Sequence, residues 1–105
     1  SEDISDPVLP TLTLSAFSGP SNSNADFVVG EQIKGKSSGA VAIIINKKDS
    51  NKLEYVNLNT FNFSIGEVIV GNESSIEAII GSKLRGSKNV SNKYGFSLME
   101  KFAHI

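Results

Sequence analysis

Phe27-Val-Val-Gly-Glu-Gln-Ile-Lys-Gly-Lys-Ser-Ser-Gly-Ala-Val-Ala-Ile-Ile44 is followed by a second version of itself, Phe63-Ser-Ile-Gly-Glu-Val-Ile-Val-Gly-Asn-Glu-Ser-Ser-Ile-Glu-Ala-Ile-Ile80. The offset is 36 throughout, with no gap. Phe27/Phe63, Gly30/Gly66, Glu31/Glu67, Ile33/Ile69, Gly35/Gly71, Ser38/Ser74, Ala42/Ala78, Ile43/Ile79 and Ile44/Ile80 are identical pairs. Chance does not easily give nine matches in an ungapped window of eighteen, so the chain carries an internal repeat.

Each copy has the same physical logic. Phe27 and Val29, like Phe63 and Ile65, stand two residues apart and point to one side of an extended backbone. Gly-Glu then turns a tight corner, where glycine admits a positive φ or a close approach. Glu31 and Glu67 serve that corner locally, as acceptors for turn N–H groups or partners of a nearby lysine. Ile33 and Ile69 lie in a short strand that Gly35 and Gly71 end. Ser38 and Ser74 make a second turn, and Ala42–Ile45 and Ala78–Ile80 form the next strand. β-branched residues punctuated by Gly, Ser and Asn at this spacing argue for strands over helices. Phe27, Ile33, Ile43, Phe63, Ile69 and Ile79 are the expected core. Gly30, Glu31, Gly35, Gly66, Glu67 and Gly71 are the expected structural turn residues.

Outward from the repeat, Leu12 and Leu14 alternate with Thr11, Thr13 and Ser15, the period of a half-buried strand. Residues 19–26 are a loop by composition. Asn46–Lys52 reads as a hairpin loop joining Val41–Ile45 to Leu53–Leu58. The expected fold is therefore all-β: a small barrel or sandwich of six or seven strands built from two repeated β-units. Residues 1–10 read as an arm or linker, residues 11–93 as the β-domain, and residues 94–105 as an extension. That extension reads as a strand, a short helix from Ser97 or the start of a next domain, and Phe96, Met99 and Phe102 at three-residue steps favour one helical face.

Ten basic and eleven acidic residues give a formal net charge of −1, which supplies no electrostatic footprint for nucleic acid or anionic lipid. The apolar run Ala40–Ile45 is too short to cross a bilayer as a helix. With no cysteine, disulfides and thiolate metal sites are excluded. The single histidine, His104, excludes a histidine cluster. No metal or cofactor is expected.

The sharpest apparent motif is Gly30-Glu-Gln-Ile-Lys-Gly35-Lys36-Ser37, which matches the phosphate-binding loop G-x-x-x-x-G-K-[ST] letter for letter. That chemistry needs a helix N-terminus after the lysine to aim amides at phosphate. Gly39-Ala-Val-Ala-Ile-Ile-Ile reads as strand instead, and the second copy replaces Lys-Ser with Asn72-Glu73. The glycines serve shape, and nucleotide binding is rejected. Glu31 and Glu67 could form a carboxylate pair for acid–base work or calcium, but their repetition favours a structural use. No residue is assigned a catalytic role.

The pattern Phe-x-x-Gly-Glu-x-Ile-x-Gly-x-x-Ser-(Gly/Ser)-x-x-Ala-Ile resembles a module of tail-fibre, baseplate and other virion structural proteins of contractile-tailed bacteriophages. Leu12-Thr-Leu-Ser-Ala-Phe-Ser-Gly-Pro20 and Lys88-Asn-Val-Ser-Asn-Lys-Tyr-Gly-Phe-Ser-Leu98 resemble segments that flank it. The likeness spans Leu12 to Leu98 and departs at Ser75, where glycine is typical, and beyond Leu98. It implies a β-rich building block of a multi-subunit particle, often trimeric, located in the virion, with no catalytic residues. Its partners would be other virion proteins or further copies of the chain, with neither nucleic acid nor membrane among them. The alternative is a carbohydrate- or receptor-binding adhesin module, which a surface cluster of Tyr55, Tyr94 and phenylalanines would favour.

Overall fold

In the computed structural model, residues 9–86 are described. They contain six strands: β1 (Thr11–Ser15), β2 (Gln32–Gly35), β3 (Val41–Lys48), β4 (Lys52–Asn57), β5 (Val68–Gly71) and β6 (Glu77–Leu84). A single 3-10 turn spans Asn24–Asp26. The strands close into an antiparallel barrel in the order β1-β4-β3-β2-β5-β6, which leaves no sheet edge unpaired. Of the all-β barrel or sandwich expected from the repeat, the barrel is the observed fold. The expected arm, apart from Leu9 and Pro10, and residues 87–105 with their suggested helix lie outside the described residues.

The two copies adopt matching conformations. Gly30 and Gly66 sit at φ 95° and 93°, and their N–H groups donate to Ile44 and Ile80 carbonyls at 2.8 and 2.7 Å. Glu31 and Glu67 N–H groups close the same turn on Val28 and Ser64 carbonyls. In β2–β5, Ile33 faces Gly71 and Gly35 faces Ile69, so each unit presents the same strand to the other about a pseudo-two-fold axis.

β1 completes this symmetry from the other end of the chain. In the first unit β4 pairs with β3: Lys48 with Lys52, Lys47 with Leu53, Ile44 with Tyr55 and Ile43 with Val56, with Ile45 bulged out. In the second unit β1 holds the corresponding place on β6: Leu84 with Thr11, Lys83 with Leu12, Ile80 with Leu14 and Ile79 with Ser15, with Gly81 bulged out. β1 and β4 then meet across the axis, Leu12 opposite Leu53. The unit is not a contiguous stretch of sequence. The strand that finishes the second copy precedes the first.

The core gathers Leu12, Leu14, Phe27, Ile33, Ala42, Ile44, Leu53, Tyr55, Phe63, Ile69, Ala78 and Ile80. Burying each large aliphatic side chain contributes about 1.5–3 kcal/mol. Phe27 and Phe63 each meet an aromatic edge, Phe17 at 6.4 Å and Tyr55 at 5.3 Å between ring centroids. Five of the expected core residues are buried: Phe27, Ile33, Ile43, Phe63 and Ile69.

Ile43 and Ile79 lie on the outward side of the sheet; Ile43 is nonetheless buried as expected, and Ile79, also expected in the core, is exposed instead. Directly paired residues on antiparallel strands share a face. Ile33 pairs with Ala42 and Ile69 with Ala78, so Ala42/Ile44 and Ala78/Ile80 point inward and the isoleucines between them point out. Ile43 is still shielded, at 7% exposure, beside its outward neighbour Val56. Ile79 has Ser15 in Val56's place and is 37% exposed. Val29 and Ile65 depart from expectation as well. The chain is already turning at Val28–Glu31 and Ser64–Glu67, so the two-residue period fails and both side chains are exposed.

Candidate functional site

Each corner glutamate follows a glycine in the left-handed region and is carried under the barrel wall, where Glu31 is 1% and Glu67 6% exposed. A buried carboxylate needs donors. Glu31 Oε2 accepts the Val28 N–H at 2.7 Å within its own corner. Its Oε1 accepts the N–H groups of Glu73 and Ser74, both at 2.9 Å, from the second turn of the other unit. Glu67 mirrors it. Oε2 takes the Ser64 N–H at 2.6 Å, and Oε1 takes those of Ser37 and Ser38 at 3.0 and 2.9 Å. Two carboxylates thus staple the two units reciprocally.

The local job expected of these residues is therefore half right. They do accept turn N–H groups, but two of the three belong to the opposite copy. A repeat read along one line cannot show that its two lines interlock.

Gly35 and Gly71 end their strands as expected, and the carboxylates give the reason. A Cβ on Gly35 would lie 2.6 Å from Glu67 Oε1 and from Ser38 Oγ. One on Gly71 would lie 2.5 Å from Glu31 Oε1 and 2.6 Å from Ser74 Oγ. Only glycine lets the partner unit's carboxylate approach. At Gly30 and Gly66 nothing lies within 4 Å of such a Cβ, so the requirement there is the positive φ alone.

The phosphate-loop lookalike acquires a meaning from this geometry. Lys36–Ser38 is a turn leading to β3, with no helix following. Its amides at Ser37 and Ser38 do cradle an anion, as consecutive turn amides can, and the anion is the Glu67 carboxylate. Lys36 points elsewhere, pairing with Glu77 at 2.7 Å on the surface.

Burial by itself pushes both carboxyl groups up. The Ser74, Val28 and Glu73 amides and the Ser74 hydroxyl outweigh it and hold Glu31 below its ordinary value of 4.5. The Ser64, Ser38 and Ser37 amides and the Ser38 hydroxyl do the same for Glu67. Both are anionic acceptors at neutral pH, with neither a raised proton affinity nor an open face for acid–base work. Among the described residues no group of His, Asp and Glu is placed to hold a metal ion.

Two further ties lay outside the reading of the sequence. Lys47 and Lys83, another pair at the repeat offset, donate to the Phe27 and Phe63 carbonyls at 2.9 and 2.6 Å. Asn24, 4% exposed, donates to the Lys48 and Lys52 carbonyls at 3.1 and 2.9 Å and so holds the loop before the first copy against the β3–β4 hairpin. The lysine pair could have been found by extending the alignment three residues past Ile44. Nothing in a run of Ser and Asn distinguishes Asn24 from its neighbours. Tyr55 is 5% exposed in the core, so it offers no surface platform, and Tyr94 lies outside the described residues.

Comparison with protein-family models, with curated proteins and with solved structures finds no match to this chain.

Proposed function

We propose that this chain is a non-catalytic structural module of a tailed-phage virion, in a tail, baseplate or fibre protein, working through protein–protein contacts. The observation that carries the reading is the use of the repeated carboxylates. Glu31 and Glu67, the side chains best placed by duplication for paired acid–base chemistry, are consumed as acceptors that lock one unit to the other. A rigid, self-closed barrel of this kind suits a building block whose value is shape. The resemblance of the Phe/Gly-Glu/Ile pattern to contractile-tail virion modules supports the particle assignment. Contacts would fall on the apolar side chains the barrel leaves out: Val28, Val29, Phe61, Ile65, Ile79 and Leu84, all at least 37% exposed. The partners are other virion proteins or further copies of the chain. The burial of Tyr55 weighs against the sugar-binding alternative.

The test is to purify the tailed particles made by a host that carries this coding sequence and to digest them for peptide mass spectrometry. Peptides from residues 53–83 in stoichiometric amounts in intact particles support the proposal. Their presence only in the soluble host fraction, with none in particles, refutes it.

A further inference from the structure

At matching repeat positions the first copy reads Ala40-Val-Ala-Ile-Ile-Ile45 and the second Ile76-Glu-Ala-Ile-Ile-Gly81. The charge of Glu77 and the glycine at Gly81 break the second run. The first has neither: all six residues are apolar, and four of them are β-branched. Short segments of high β-propensity without charge, proline or glycine are those that pair with their own kind in cross-β sheets. A charge within such a run is a common guard against it. Two other stretches lack charge, Thr11–Phe17 and Leu58–Ile65, but hydroxyl and amide side chains interrupt both.

The closed barrel withholds the run. β3 is hydrogen-bonded to β2 on one side and to β4 on the other, so neither of its edges is free. Ala40, Ala42, Ile43 and Ile44 are buried, and only Val41 and Ile45 are partly exposed.

We propose that Ala40–Ile45 is a self-pairing segment: in chains whose barrel is open it stacks on the same segment of other copies as a cross-β sheet, and barrel closure is what holds it back. The partner is further copies of this chain, because the dry interface between such sheets is built from identical side chains in register. The inference is independent of the virion reading.

Val41→Glu supplies the test, since it gives the first copy the charge that Glu77 gives the second. Val41 pairs with the exposed Lys34, and directly paired residues share a face, so the closed barrel accepts the carboxylate beside a lysine. Ile79→Glu makes the same change in net charge at an exposed position of the second copy. Wild type and both variants, as full chains, are each agitated at their own urea midpoint, where the same fraction of every protein is open. Wild type is expected to form fibrils that diffract at about 4.7 and 10 Å. Their protease-resistant core, mapped by mass spectrometry, should contain residues 40–45, and wild type should stay soluble without urea. Val41→Glu should lengthen the lag about ten-fold or more, and Ile79→Glu should leave it within about two-fold. A wild type that stays soluble at its midpoint overturns the proposal. So does a resistant core that excludes residues 40–45, a lag equal in wild type and Val41→Glu, or fibrils that grow as fast in buffer as in urea.

Discussion

Replacing Glu31 by Gln keeps the volume and removes one acceptor and the charge. The amide oxygen can take the place of Oε1 and keep the Glu73 and Ser74 N–H groups. The amide nitrogen must then face the Val28 N–H, which Oε2 accepts at 2.7 Å. Orphaning a buried N–H costs about 1–3 kcal/mol, and exchanging a charged acceptor for a neutral one costs about 1 kcal/mol for each of the two bonds that survive. Relief from burying a charge offsets part of this, leaving an expected loss of about 3 kcal/mol. For a domain of this size that corresponds to a fall of about 15 °C in Tm. Urea unfolding followed by circular dichroism at pH 7 measures it directly. The pH dependence supplies the control. Glu31 is held below its ordinary value of 4.5 by the amides around it, so its contribution is complete above that value and is lost as the pH falls through the depressed one. The gap between wild type and Glu31→Gln should therefore close in strong acid. A loss under about 1 kcal/mol at pH 7, or a gap of equal size at pH 7 and in strong acid, would show that the carboxylate does not bear this load.

Gly71→Ala should cost at least as much as Glu31→Gln, about 3 kcal/mol or more, because its methyl group would overlap Oε1 of the same carboxylate. The double variant should be clearly less destabilised than the sum of the two, as a double-mutant cycle by denaturant titration would show. Ser75, at φ 63° where its counterpart Gly39 has φ 78°, should respond oppositely. Ser75→Gly removes left-handed strain of about 1–2 kcal/mol and adds chain entropy worth about 0.4–1 kcal/mol, for a small net gain in Tm. Ile80→Ala should cost about 2–5 kcal/mol, as for other buried isoleucines, while Ile79→Ala should cost under about 1 kcal/mol. Equal losses at the two positions would contradict the inward–outward assignment.

Much of this fold can be read from the repeat. Gly30/Gly66 and Gly35/Gly71 fix where the chain turns and where strands stop, and the β-branched runs between them can only be strands. The choice between Ile43 and Ile44 could not be read that way. Adjacent isoleucines satisfy either phase of a two-residue period, and only the pairing of Ile33 with Ala42 selects one. The completion of the second unit by β1 was hidden because Thr11–Ser15 shares position but almost no side chains with Lys52–Val56. The reciprocal staple was hidden for a related reason. Sequence identity at Glu31 and Glu67 shows that each does the same thing, and says nothing about whose amides it meets.

The central claim, that each glutamate reaches across to the other unit's turn, is tested most directly by amide chemical shifts. Two-dimensional 1H–15N spectra of wild type and Glu31→Gln should differ most at Val28, Glu73 and Ser74, with Ser37 and Ser38 nearly unmoved. Glu67→Gln should give the converse, moving Ser64, Ser37 and Ser38. Perturbations confined to the neighbourhood of residues 28–33 in the first variant would mean that the staple does not cross between the units.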